Sequence, residues 1–143
     1  MSSRRDSRRA ATACFYILGD PYSRFDACKI GITNRLENRL INFYCDNKRH
    51  VYLADGFTVF ALYLLPNWQQ AEELERAVLR YFKDHKKWDR SLGWLELKPG
   101  MVDVSIDVIA DDLGLEWEQI GFPYVRWYET GHVTAWRQAG VPG

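Results

Sequence analysis

Glu75 is the residue that ordinary helix packing does not explain. It lies in WQQAEELERAVLRYFKDH, a stretch after Asn67 with no glycine or proline to break a helix. Advancing about 100° per residue from Trp68 places Ala71, Leu74, Val78, Leu79, Tyr81 and Phe82 on one arc with Trp68 itself. Glu72, Glu73, Arg76, Arg80 and Lys83 fill the solvated side. Glu75 falls at about 340°, inside the apolar arc between Phe82 and Trp68. An ionised carboxylate there must be paired, bind a metal ion or lie in a polar cleft, because bare burial costs several kcal/mol.

Two basic residues sit in similarly unusual places. Arg39 lies beside Leu36 and Phe43, at the margin of a second helical stretch, NRLENRLINFY. Lys29 interrupts CKIGIT, whose small and β-branched residues otherwise suit a buried strand. Two readings of Glu75 stand at this point: a structural ion pair with an arginine such as Arg39, or a carboxylate kept for metal or substrate.

The elements that must position these residues follow from the pattern. CFYIL (14–18) predicts a buried strand, stopped by the turn residues Gly19 and Pro21. CKIGI (28–32) predicts its antiparallel partner. Asn34 with Glu37 forms a capping box for the first helix, and Asn67 with Gln70 a second capping pair. FTVFALYLL (57–65) is the strongest strand pattern, ended by Pro66, and GWLEL (93–97) suits a short closing strand. The core therefore reads β-β-α-β-α-β over residues 13–97. Residues 1–12 form a flexible basic arm. Residues 98–143 form an extension packed on the core, with a short helix over VSIDVIADDLG and a β-hairpin turning at Gly131.

Bulk properties narrow the function classes. With 143 residues and 47% apolar content, the chain suits one domain with a real core. No apolar run is long enough for a membrane helix, and MSSRRDSRRAAT lacks the apolar centre of a secretory signal. Cys14, Cys28 and Cys45 are an odd number without a C-x-x-C pair, so a reducing cytoplasm is the simplest setting. Net charge is zero, yet residues 1–12 carry four Arg against one Asp, while residues 98–143 carry three basic residues against seven acids. A nucleic-acid partner suits the first part and not the last. The aromatic run FPYVRWYETGHVTAWR fits core packing or a protein interface better than base stacking, given its acids. His50, His85 and His132 show no metal-ligand spacing.

The ordered set resembles the GIY-YIG nuclease superfamily. CFY (14–16) stands where the first tripeptide stands, and KIG (29–31) where the second stands. Arg39 follows Gly31 by eight residues, and Glu75 lies on the later helix, in the pattern ERAVLRYF. KIGIT resembles in particular the branch named for a phage open reading frame. The resemblance implies a small α+β domain with a central antiparallel three-stranded sheet flanked by helices, covering residues 13–97. It implies a DNA endonuclease in which Glu75 holds Mg²⁺ or Mn²⁺ and Arg39 offsets charge on the phosphate. Tyr16 orients or deprotonates water, and Lys29 lowers the tyrosine pKa or is itself the base. Lys29 replaces the second tyrosine, Phe43 replaces a frequent histidine, and the late asparagine is absent, with only Glu96 nearby. The alternative is a catalytically inactive module binding DNA or protein. The extension is the candidate surface for a protein partner or self-association.

Overall fold

The computed structural model describes residues 12–19, 22, 26–47, 58–85, 93–120, 125–126 and 141. Residues 1–11 of the basic arm lie outside this set, as do His50, His132 and most of the predicted C-terminal hairpin. The elements are β1 (Ala13–Leu18), β2 (Cys28–Thr33), α1 (Leu36–Asn47), β3 (Thr58–Leu65), α2 (Trp68–Tyr81), β4 (Trp94–Leu95), α3 (Pro99–Asp112), β5 (Glu118–Ile120) and β6 (Val125–Arg126). A 3₁₀ turn at Lys83–His85 follows α2.

β1 is buried along its whole length because both faces and both edges are covered. It pairs antiparallel with β2 on one side, Tyr16 opposite Gly31, and with β3 on the other, Tyr16 opposite Leu62. The expected sheet of three strands is corrected here. The strand order is β4-β2-β1-β3-β5, and β6 also pairs with β3. β4 falls within the predicted closing strand GWLEL and β6 within the predicted hairpin, whereas the three residues of β5 carry too little alternation to be legible in sequence. β5 and β6 form because the long β3 presents backbone donors and acceptors that need partners, and β4 forms in the same way on the edge of β2.

Two cores lie on opposite faces of the sheet. Phe15, Ile17, Ile30 and Tyr63 meet Ala71, Leu74, Val78 and Phe82 of α2 and Val102, Ile106, Ile109 and Ala110 of α3. Cys14, Tyr16, Leu18, Leu62 and Trp94 meet Leu36, Leu40 and Phe43 of α1. Asn67 caps α2, its Oδ1 accepting from the Gln70 amide at 2.8 Å, as the pattern predicts. α1 begins at Leu36, with the Arg35 carbonyl accepting from the Arg39 amide and the Thr33 hydroxyl accepting from the Arg35 amide. α3 starts earlier than VSIDVIADDLG suggests. Pro99 occupies its first turn, where a missing N–H costs nothing, and Gly114 follows its end at φ 68°.

One core atom is buried at a cost. The Tyr63 hydroxyl is buried without a hydrogen-bond partner among the described residues, and its ring packs against those of Phe15 and Trp117. Tyr63→Phe removes that unpaired group while keeping the ring. Stability should rise by about 1–2 kcal/mol in urea unfolding, the scale of an orphaned buried hydroxyl. A loss of stability would show that an internal water serves the hydroxyl.

Candidate functional site

Antiparallel register fixes which side chains share a face. Leu18 lies opposite Lys29 and Tyr16 opposite Gly31, so Lys29 and Tyr16 project to the same side of the sheet. α1 covers that side, and Arg39 reaches from it. The Arg39 Nε donates to the Tyr16 hydroxyl at 3.2 Å. Arg39 is otherwise on the exposed side of its helix, which explains its marginal position in the sequence pattern.

Gly31 is required by the Tyr16 ring. A Cβ at position 31 would overlap the tyrosine Oη and Cζ atoms and lie 3.0 Å from Cε1. The phenol therefore lies flat over the β2 backbone, its tip directed toward Arg39. Gly93 makes a second close approach, on β2's other edge. It has φ 86°, and its carbonyl accepts from the Ile30 amide at 2.7 Å. A Cβ there would stand 2.7 Å from Lys29 Nζ. With Trp94 paired directly opposite Lys29 and buried against Phe43, ring centroids 6.2 Å apart, the lysine stem runs through an apolar corner. Phe43 is thus a packing residue.

Glu75 comes from the opposite face, on α2. The buried stripe of that helix is Ala71, Leu74 and Val78, while Trp68 and Tyr81, placed in the apolar arc by the sequence pattern, are 41% and 61% exposed. The true stripe is narrower, and Glu75 lies at its margin, half-buried. β4 pairs with β2 only at Cys28 and Lys29. Beyond it no described strand flanks Gly31–Thr33 on that edge. The Glu75 carboxylate interacts electrostatically with Lys29 and Arg39 and with Tyr16.

The charges of this group are set by burial first. Burial pushes the Tyr16 phenol up, opposed by the hydrogen bond and charge of Arg39. Burial pushes the Lys29 amine down to about 8, helped by Arg39 and opposed by Glu75. Burial raises Glu75, Lys29 and Arg39 lower it, and Glu72 raises it. No ion pair closes on Glu75 among the described residues. Glu72 was placed on the solvated side by the helix pattern, and its i, i+3 spacing to Glu75 is the signal that it belongs with the group. Cys28, next to Lys29, is buried with its thiol pushed up to about 12, so it is a packing residue and no activated nucleophile.

The donor set suits one kind of metal. Among the described residues no three His, Cys, Asp or Glu side chains converge. One carboxylate, with Glu72 beside it, matches a hard cation that keeps several waters and takes its remaining ligands from phosphate. Mg²⁺ or Mn²⁺ fits such a site; a zinc cage does not.

No curated protein and no solved structure matches this chain. A family model does, over residues 13–110, and it is that of the T5orf172 domain. The match is not to a GIY-YIG model, so the resemblance drawn from CFY, KIG, Arg39 and Glu75 is corrected by it. The matched span includes α3, which shares the core beneath β1 and β3. Covering well over half of the sequence, it shows that the chain belongs to the T5orf172 domain family.

Proposed function

We propose that this domain is a metal-dependent DNA endonuclease hydrolysing phosphodiester bonds. The observation that carries the reading is the convergence of Tyr16, Lys29, Arg39 and Glu75 from four separate elements into one electrostatic group. A half-buried lysine and a half-buried glutamate, with no ion pair closed on the glutamate among the described residues, are costly unless they serve chemistry. T5orf172 domains are also known in some nuclease-like proteins.

Each residue has a task that its surroundings favour. Arg39 has five N–H donors in a planar fork, so it can steady Tyr16 through Nε and still address phosphate oxygens. The Tyr16 hydroxyl accepts from Arg39, which leaves its own proton to donate. Because burial raises its pKa, the phenol stays protonated at neutral pH and orients water or phosphate. Lys29 is the better base, since its amine loses a proton far more readily than an exposed lysine. Glu75 would hold Mg²⁺, with Glu72 adding negative charge beside it. When bound, the metal supplies positive charge that polarises the phosphate and stabilises the departing oxygen.

Incubating the protein with supercoiled plasmid and a short single-stranded oligonucleotide, with Mg²⁺, Mn²⁺ or a chelator, tests the reading. Nicked or linear products should form only with metal. Binding without cleavage under every metal would favour the inactive DNA-binding module instead.

The pH dependence carries a sign. If neutral Lys29 takes the proton, kcat/KM rises with pH through about 8 and levels above it. Below that point the rate falls about tenfold per pH unit. DNA phosphates bring negative charge near the amine and raise its pKa, so the limb in kcat lies at higher pH than that in kcat/KM. A flat profile between pH 6 and 9, on the order of the range where the lysine titrates, would remove Lys29 from the base role.

A further inference from the structure

The outer face of α3 carries an apolar stripe of its own. Val102, Ile106, Ile109 and Ala110 are buried, yet Met101, Val104 and Val108 on the opposite side are 54%, 69% and 57% exposed. They fall at i, i+3 and i+7, one continuous stripe. Beside Met101 at the edge of the stripe lies Ser105, whose hydroxyl donates to the Met101 carbonyl at 3.0 Å. That bond spends its proton internally and leaves a small residue where another backbone can approach. Valine is a poor choice for a solvated helix face, having lower helix propensity than alanine or lysine and gaining nothing there from packing. Asp107 and Asp111 line one margin of the stripe and Asp112 the other, all exposed.

We infer that this face docks an amphipathic helix of another protein, whose apolar stripe is flanked by lysines or arginines. Charge complementarity selects that occupant. A second copy of α3 would bring two aspartate rows together, and DNA or an anionic membrane would meet the same repulsion. α3 packs on the sheet face away from α1 and Arg39, and none of its stripe residues belongs to the group of Tyr16, Lys29, Arg39 and Glu75.

The test uses the full chain and two synthetic helical peptides with the same leucine stripe, one flanked by lysines and the other by glutamates. The lysine peptide should bind in fluorescence anisotropy and weaken with added salt. Val104→Ser with Val108→Ser should weaken it by about tenfold or more, from lost apolar burial. Asp107→Asn with Asp111→Asn should weaken it too, while DNA cleavage and melting temperature stay unchanged. No binding of the lysine peptide, equal binding of the glutamate peptide, or equal binding to the valine variant would overturn the inference. Self-association in sedimentation that the valine variant abolishes would assign the face to a second copy. A fall of several degrees in melting temperature for that variant would show that the chain covers the face itself.

Discussion

Glu75→Gln should abolish most cleavage while leaving the fold intact. Gln keeps the size and packing of the side chain but removes the charge that would hold a divalent cation. The cleavage rate should fall by at least ~10²-fold, the scale of losing one preorganised electrostatic group. DNA binding should persist or tighten, since a negative charge near phosphate has gone. The rival reading, a buried structural pair with Arg39, predicts a different outcome. Breaking such a pair would cost roughly 3–5 kcal/mol of stability. The structure places Glu75 at the margin of the α2 stripe, half-buried, and gives the Arg39 Nε to Tyr16. The melting temperature should therefore move little. A large drop in melting temperature, with normal specific activity in the folded fraction, would sink the metal assignment.

Gly31→Ala should damage stability and activity together, through a single atom. The new Cβ would occupy the space of the Tyr16 ring tip, and Tyr16 is 1% exposed with no room to retreat. Overpacking of this kind costs about 1–3 kcal/mol. The displaced phenol also leaves the Arg39 Nε, so cleavage by the folded fraction should fall by about tenfold or more, the scale of a misplaced catalytic group. A companion variant separates the two effects. Gly31→Ala with Tyr16→Leu removes the overlapping atoms, so stability should recover while cleavage does not. Recovery of both would show that Tyr16 is only a core residue. A harmless Gly31→Ala would mean that the β2 backbone yields.

The glycine illustrates what the sequence made legible. KIGIT shows a strand that tolerates a lysine and needs a glycine, but not what presses on the glycine. The body is the ring of Tyr16, from the neighbouring strand. That relation depends on register, which no single strand encodes. Glu75 was legible because a carboxylate within an apolar helical arc breaks a strong periodic pattern. Its depth was not, since Trp68 and Tyr81 count as apolar in the pattern yet stand in solvent. The strand pair 14–18 and 28–32 and the Asn67 cap rest on local chemistry, and they form as read. β5 is recruited by the edge of β3, a tertiary cause with almost no local signal, while β6 falls where the hairpin pattern placed a strand. The helix expected over VSIDVIADDLG begins earlier, at Pro99, because proline breaks helices only beyond their first turn. The tripeptides and their spacing suggested one family, and the match over residues 13–110 assigns another. Short motifs specify geometry more firmly than descent.

The central claim is that Lys29 and Glu75, from opposite faces of one sheet, act as parts of a single catalytic unit. Single-turnover cleavage of a labelled duplex by Lys29→Met, Glu75→Gln and the double variant tests it most directly. Residues acting as a unit are grossly non-additive, because removing one already disables the rest. The double variant should therefore cleave no more slowly than the slower single one. Losses that multiply, or either single variant cutting at the unaltered rate, would contradict the account.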